Sequence, residues 1–207
     1  MSSTQKVKID FCSHKAAKYA VENWHYSGTM PFGKKIKIGV WENDDFIGCV
    51  LFSRGATPNL LKPYGLDQTE GCELTRVAMR DHDVEVTYCL SEARKLLKQK
   101  CPGLKIIISF ADKEQNHLGT IYQADNWYYL GTTGKQNNFF VVNGDEYHGR
   151  SLGQKYGEGG QNLEWLQKNV DPNAKRVEKP GKYRYAYPLT KPMRYKLKKL
   201  KEPYPKQ

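Results

Sequence analysis

The chain has 207 residues, 39% of them hydrophobic and 12% aromatic, with a formal net charge of +11. That is enough apolar material for the core of one domain with an appendage. No apolar run approaches the roughly 18 residues of a membrane span, and the opening MSSTQKVKID has no apolar signal segment, so a cytoplasmic protein is expected. Five cysteines, at 12, 49, 72, 89 and 101, are scattered without a C-x-x-C pair, which points to reduced thiols and not to disulfides or zinc.

Lys6–Phe11 alternates apolar and polar residues and predicts a strand. Ser13–Trp24 has helical spacing, with Ala16, Ala17, Tyr19, Ala20 and Val21 as its apolar positions. Ile36–Glu42 and Phe46–Ser53 form a strand pair around the turn sequence Asn43-Asp44-Asp45. Residues 54–71 make a long loop holding Pro58, Pro63 and three glycines, and loops of that length are usually functional. Cys72–Met79 is the next strand, followed by a helix over 84–100 capped by Asp81 or Asp83 and stopped at Pro102-Gly103.

The most informative stretch is KIIISFADKEQNHLGTIYQADNWYYLG, residues 105–131. It reads as strand (106–110), polar loop led by Asp112, helix (117–125) and strand (127–130). A strand–loop–helix–strand unit with Tyr122 and Trp127 so placed resembles the last αβ unit of the GCN5-related N-acetyltransferase (GNAT) fold. Asn138–Asn143 is a final strand. The element order β-α-β-β-β-α-β-α-β-β agrees with an α/β (α+β) GNAT-like mixed sheet flanked by helices. Residues 149–181, rich in Gly, Gln and Lys, read as loop apart from a short helix near 162–168.

Charge is uneven. Residues 1–148 hold 18 Lys/Arg and 17 Asp/Glu, whereas 149–207 hold 15 and 5. Two regions are therefore expected: a catalytic domain over 1–148 and a basic, Tyr-rich C-terminal extension over 149–207 that binds nucleic acid. Tyrosines interleave with cations at Lys182-Tyr183-Arg184-Tyr185 and again beyond Lys191, at Arg194-Tyr195. Cations neutralise phosphates, and tyrosine rings stack on exposed bases.

The phrases WHYSG, IGVWENDDFIG, RGATPNLLKPYGLDQTEGCELTRVA, SFADKEQNHLGTIYQADNWYYLGTT and HGRSL narrow the likeness. Together they resemble the Mom family of bacteriophage DNA-modification proteins, over roughly residues 20–153. The resemblance implies conversion of adenine in double-stranded DNA to N6-carbamoylmethyladenine, which protects phage DNA from host restriction enzymes. It also implies action in the host bacterial cytoplasm, on a diverged acetyltransferase-type fold. By the same resemblance Asp112 and Tyr122 fall at functional positions, with His25 of the His-Tyr-Ser phrase as a further candidate.

Acetyltransferases of this fold hold the pyrophosphate of coenzyme A on a Gly-containing loop at a helix start. The corresponding segment here, Arg80-Asp81-His82-Asp83-Val84-Glu85, has no glycine and three carboxylates, which argues against acetyl-CoA as donor. A carbamoylmethyl group is an isomer of a glycyl group, and some relatives of this fold use aminoacyl-tRNA. An activated glycine donor such as glycyl-tRNA is therefore expected, with tRNA as a second nucleic-acid partner. No His spacing supports a metal site.

Chemistry nominates the rest. Adenine N6 is a weak nucleophile, so a proton acceptor and an oxyanion donor are needed. Asp112, just past a strand end, is the best acceptor, and Tyr122 suits a leaving-group donor. Ser109, Glu73 and Arg76 lie on neighbouring strands, where strict alternation would put Glu73 with Thr75 and Arg76 with Leu74. Candidate DNA contacts are Arg54, His148, Arg150, Lys182, Tyr183, Arg184, Tyr185, Lys191 and Arg194. Tyr64 and Leu66 are candidate wedges on the long loop. Two other readings are an acyl-CoA-dependent N-acyltransferase acting on another amine, and a non-catalytic DNA-binding protein.

Overall fold

A computed structural model describes residues 6–55 and 57–206, so the first five residues of the expected signal-free N-terminus lie outside it. The chain divides into two compact units. The first comprises the chain through Ala111, Leu118–Gly131 and the chain from Tyr183; the second comprises Asp112–His117 and Thr132–Lys182.

The first unit is built on a seven-stranded sheet. Its strands are β1 (Val7–Phe11), β2 (Lys35–Glu42), β3 (Asp45–Ser53), β4 (Gly71–Met79), β5 (Ile106–Ala111), β6 (Tyr128–Thr132) and β10 (Tyr183–Pro188), in the order β1-β2-β3-β4-β5-β10-β6. Pairing is antiparallel from β1 to β4, parallel for β4 with β5, and antiparallel for β5 with β10. The β2–β3 turn forms because Asn43 and Asp44 adopt φ of 50° and 70°, a left-handed pair that matches strand twist.

Adjacent residues on one strand serve opposite layers. Helix α1 (His14–Trp24), capped by Ser13 Oγ on the Ala16 N–H at 3.1 Å, packs Ala17, Ala20 and Val21 on Cys49, Leu51 and Ala78. Helix α2 (Val86–Lys100) packs Leu90, Ala93 and Leu97 with Val50, Phe52, Leu74 and Ile107 on the other face. Tyr122 of the short helix α3 (Thr120–Ala124) joins that second layer with Trp127 and Tyr185. Helix α6 (Lys191–Leu200) buries Met193 and Leu197 with Leu61, Tyr64, Ile106, Ile108 and Ala186 on the same face as α1. Among the described residues no helix is long and apolar enough to cross a membrane. All five cysteines are free thiols, and burial raises Cys12, Cys49, Cys72 and Cys89 far above the ordinary thiol range.

Two expectations are corrected here. The segment beginning at Lys182 is not an appendage: β10 inserts between β5 and β6, and Tyr185 and Ala186 are fully buried. A strand paired on both edges and covered on both faces needs apolar residues in both phases, which Tyr185, Ala186 and Pro188 supply. The expected boundary at residue 148 therefore does not divide the compact units. The charge moves with this strand, since residues 183–207, with 8 Lys/Arg and 1 Asp/Glu, belong to the first unit.

The second correction concerns 149–181, which is structured. Strands β7 (Gln136–Val142), β8 (Asp145–His148) and β9 (Lys175–Lys179) form a sheet in the order β8-β7-β9. Helices α4 (Gly149–Tyr156) and α5 (Leu163–Asn169) cover it, around Phe140, Val142, Leu152, Leu166 and Ala174. Asn143 therefore opens a hairpin turn and does not end the sheet. Gly160 marks close packing, not looseness: a Cβ there would stand 2.2 Å from the Leu152 carbonyl oxygen.

Candidate active site

Strands β4 and β5 are paired over three residues only, Gly71 with Ile106, Cys72 with Ile107 and Glu73 with Ile108. Beyond Glu73 they part, β4 continuing along β3 and β5 along β10. The opening is wedged by a bulge in β4, where Leu51 faces Arg76 while Phe52 faces Leu74, leaving Thr75 as the extra residue. Thr75 Oγ1 donates to the Leu51 carbonyl at 3.1 Å and fixes it. Ser53 and Leu51 lie two apart on β3, so their partners Glu73 and Arg76 emerge on one face. Strict alternation had placed them on opposite faces; the bulge resets the phase.

Ser109 and Tyr122 meet at this opening. The Ser109 hydroxyl lies 2.8 Å from the Leu74 carbonyl oxygen and 2.8 Å from Tyr122 Oη. The carbonyl can only accept, so Ser109 donates to it and accepts the Tyr122 proton. A short relay thus bridges the parted strands. Burial raises Tyr122 to about 12, and Tyr26, Glu73 and Arg76 also act on it electrostatically. Tyr122 is therefore a protonated donor throughout the neutral range.

The Arg76 guanidinium ties the segment after α1 to the same place. Its Nη1 donates to the Thr75 carbonyl at 2.7 Å, and Nη2 and Nε donate to the Thr29 carbonyl at 3.2 and 3.4 Å. Burial lowers its pKa, but an arginine remains cationic at neutral pH. His25 is less suited to basic work. Its Nδ1 accepts from the Ser27 N–H at 3.1 Å, so the neutral ring carries its proton on Nε2 and is a donor there.

Asp112 sits in the second unit and is already engaged. It caps the turn 113–115 by accepting from the Glu114 N–H at 3.1 Å, and it pairs with Lys182 Nζ at 2.7 Å. Burial pushes its carboxyl up, but the Lys182 hydrogen bond and charge outweigh that and hold it below the usual range. Lys182 is thus the partner of Asp112. Lys179 similarly bridges Glu114 at 2.9 Å and Glu146 at 2.5 Å.

The expected DNA contacts separate into two groups. Arg54, Arg150, Lys191 and Arg194 are exposed. Tyr64 and Tyr185 are buried core residues, and Tyr183 packs against the same core. Arg184 donates to the Leu130 carbonyl at 3.1 Å, and its Nε is buried. His148 caps α4 by accepting from the Arg150 N–H at 3.0 Å, and burial lowers its pKa. Tyr64 cannot be a wedge because the long loop folds down, placing Tyr64 beside Met193 and Leu197, with Leu66 packed against them.

Neither Asp81 nor Asp83 caps α2, whose N-cap residue is Glu85 with no side-chain cap, and the loop just ahead of the helix is held by another carboxylate. Glu42, at the end of β2, accepts from the Val84 N–H at 2.9 Å and the Asp83 N–H at 3.4 Å. Sequence reasoning missed Glu42, because the contact spans 41–42 residues. It also missed Tyr26, although Tyr26 lies within the His-Tyr-Ser phrase. Among the described residues no group of three or more His, Cys, Asp or Glu is placed to hold a metal ion.

Known proteins bear on this geometry. The chain resembles a putative acetyltransferase of Acinetobacter baylyi with a TM-score of 0.51 at 11% identity, over 93% of this chain and 97% of that one. The spermidine/spermine N-acetyltransferase of Vibrio cholerae aligns with a TM-score of 0.48 at 9% identity, over 92% and 96%. The first of these likenesses shows a GNAT-type acetyltransferase fold. By sequence the chain is 26% identical to the methylcarbamoylase mom of Escherichia phage Mu, over 98% of this chain and 85% of that protein. The family model described as the Mom protein family matches residues 6–206, and the chain belongs to that family.

Proposed function

We propose that this protein is a phage DNA-modifying transferase that places a carbamoylmethyl group on N6 of adenine in double-stranded DNA and so shields the DNA from restriction. The observation that carries this reading is the Tyr122–Ser109 pair at the parting of β4 and β5, with Glu73 and Arg76 on the parted β4 acting on Tyr122 electrostatically, in a Mom-family chain. A buried phenol that keeps its proton is suited to protonating a leaving group, and a fixed guanidinium to holding an oxyanion. Glu73 is the acceptor for the proton lost from N6. Asp112 acts at one remove, by fixing the Lys182 ammonium.

The start of α2 does not fit the pyrophosphate of coenzyme A. The Asp83 and Val84 amides just ahead of the helix already serve the Glu42 carboxylate, and Asp81, Asp83 and Glu85 add like charge. This supports a donor of another kind, an activated glycine ester such as glycyl-tRNA. N6 attacks the ester carbonyl and gives its proton to Glu73. The ester C–O bond breaks, and the departing hydroxyl takes the Tyr122 proton. Rearrangement of the N–CO–CH2–NH2 product to its isomer N–CH2–CO–NH2 needs no second substrate. The exposed cations of α6 suit the phosphates of either nucleic acid.

The test is expression in a bacterium fed labelled glycine, with mass spectrometry of its DNA nucleosides. The expected result is a modified deoxyadenosine carrying both glycine carbon and glycine nitrogen. A modified nucleoside without label would remove the glycyl donor, and unmodified DNA would remove the transferase reading.

A further inference from the structure

Adenine N6 is paired inside a duplex, so modification requires the base to leave the stack, with a side chain filling the gap and a surface receiving the base. The segment 25–35, HYSGTMPFGKK, has the parts for this. Tyr26 and Phe32 are large rings that stand 52% and 54% exposed. Single exposed aromatics are common, Tyr19 and Tyr195 among them, so what marks these two is their segment's tie to Arg76 and not exposure alone.

The segment is held, not loose. The Gly28 N–H donates to the His25 carbonyl at 2.9 Å, and Thr29 Oγ1 donates to the Ser27 carbonyl at 2.9 Å. Arg76 grips the Thr29 carbonyl from the candidate active site. The Tyr26 ring lies on His25, with centroids 4.4 Å apart at 31°, and is within electrostatic reach of Tyr122 and Arg76. Gly28 and Gly33 adopt φ of +55° and +75°, and a Cβ on either would meet nothing within 4 Å. Those glycines therefore serve backbone direction, not packing, and bracket the stretch that carries Phe32. Lys34 and Lys35 follow at once.

We infer that residues 25–35 form the base-extruding element, with Phe32 as the wedge, Tyr26 as the stacking platform for the displaced adenine, and Lys34 and Lys35 on flanking phosphates. This inference rests on the DNA-modifying reading above, and the long loop that holds the buried Tyr64 is not the wedge.

The test uses the full chain and a duplex with 2-aminopurine at the adenine that the wild-type protein modifies. Wild type is expected to brighten the probe on binding. Phe32→Ala is expected to lose that rise and to modify the matched duplex on the order of 10–100-fold more slowly, the scale of one aromatic–base contact. Its rate is expected to return close to wild type when the adenine lies opposite an abasic site, where extrusion is easier. A folding defect would not be repaired by an abasic partner, so failed rescue overturns the inference. So does Phe32→Ala acting on matched duplex at the wild-type rate, or wild type that modifies the adenine duplex yet binds the 2-aminopurine duplex without brightening it. Wild type that modifies no adenine in any DNA overturns the reading beneath it as well.

Discussion

Tyr122 and Asp112 lie ten residues apart, on either side of one turn, and their surroundings treat them in opposite ways. Burial drives the Tyr122 hydroxyl towards its neutral, protonated form and leaves Glu73 and Arg76 as its charged neighbours. Lys182 holds Asp112 in its charged form and occupies one of its oxygens. Proton transfer needs a group whose proton can move in the reaction, whereas a carboxylate locked to an ammonium serves as an anchor. Under the proposed function, chemistry belongs to the parted strands and Asp112 serves to fix Lys182, although both residues stood out equally in the sequence.

The largest effect is expected at the parted strands. Glu73→Gln keeps shape and removes the proton acceptor, so modification should fall roughly 10²–10⁴-fold with the melting temperature little changed. Single-turnover rates on DNA would measure it, and a wild-type rate would break the assignment. Next comes a structural control. Arg94 and Asp125 form an ion pair, each side chain 8% exposed, in which Asp125 also accepts from Trp127 Nε1 at 2.7 Å. Removing one partner of so buried a pair leaves an uncompensated charge, so Asp125→Ala should cost about 3–5 kcal/mol in urea unfolding.

Asp112 and Lys182 should behave as one unit. Asp112→Asn and Lys182→Met should each reduce activity, and the double variant should be little worse than either, a coupling of about 0.5–3 kcal/mol. Additive losses would show that Asp112 acts by itself. The lowered Asp112 pKa also fixes a sign. Its contribution to stability is present above the unfolded value of about 4 and is lost as pH falls through the lower folded value. Lys182→Met should remove that acid-side dependence. The smallest effect concerns α6. Replacing Lys191, Arg194, Lys198 and Lys199 with glutamine should lower the log–log salt slope of DNA binding by about 0.9 for each phosphate no longer neutralised. An unchanged slope would place the phosphate-binding surface elsewhere.

Much of the fold was legible because its periods are local. The alternation of β1 to β4, the Asn43-Asp44 turn and the apolar faces of α1 and α2 all follow from neighbours in sequence. What was hidden depends on distant partners. The Lys182–Tyr187 run looked like a basic tail because its partners, β5 and β6, lie far back in the chain. Gly159 and Gly160 looked like linker because their tight neighbours, Trp165 and Leu152, are on other helices. Tyr122, Ser109, Glu73 and Arg76 were all named from sequence, but the Ser109–Tyr122 bond and the direction of Arg76, set by one extra residue at Thr75, were not readable. Exposure was not readable either. Tyr26 and Tyr64 sit in similar polar, Gly-flanked phrases, yet one is half exposed and the other is buried under α6.

Tyr122→Phe tests the central claim most directly, because it removes one hydroxyl and keeps the ring among Trp127, Tyr185 and Leu74. DNA from bacteria expressing this variant would be digested to nucleosides and weighed beside DNA from cells expressing wild type at equal protein level. The expected result is at least a hundredfold loss of the modified deoxyadenosine, roughly the low end for losing an acid catalyst, with binding to duplex DNA unchanged. Wild-type levels of the modified nucleoside from Tyr122→Phe would mean that the hydroxyl at the parting of β4 and β5 only supports the fold, and that the chemistry lies elsewhere.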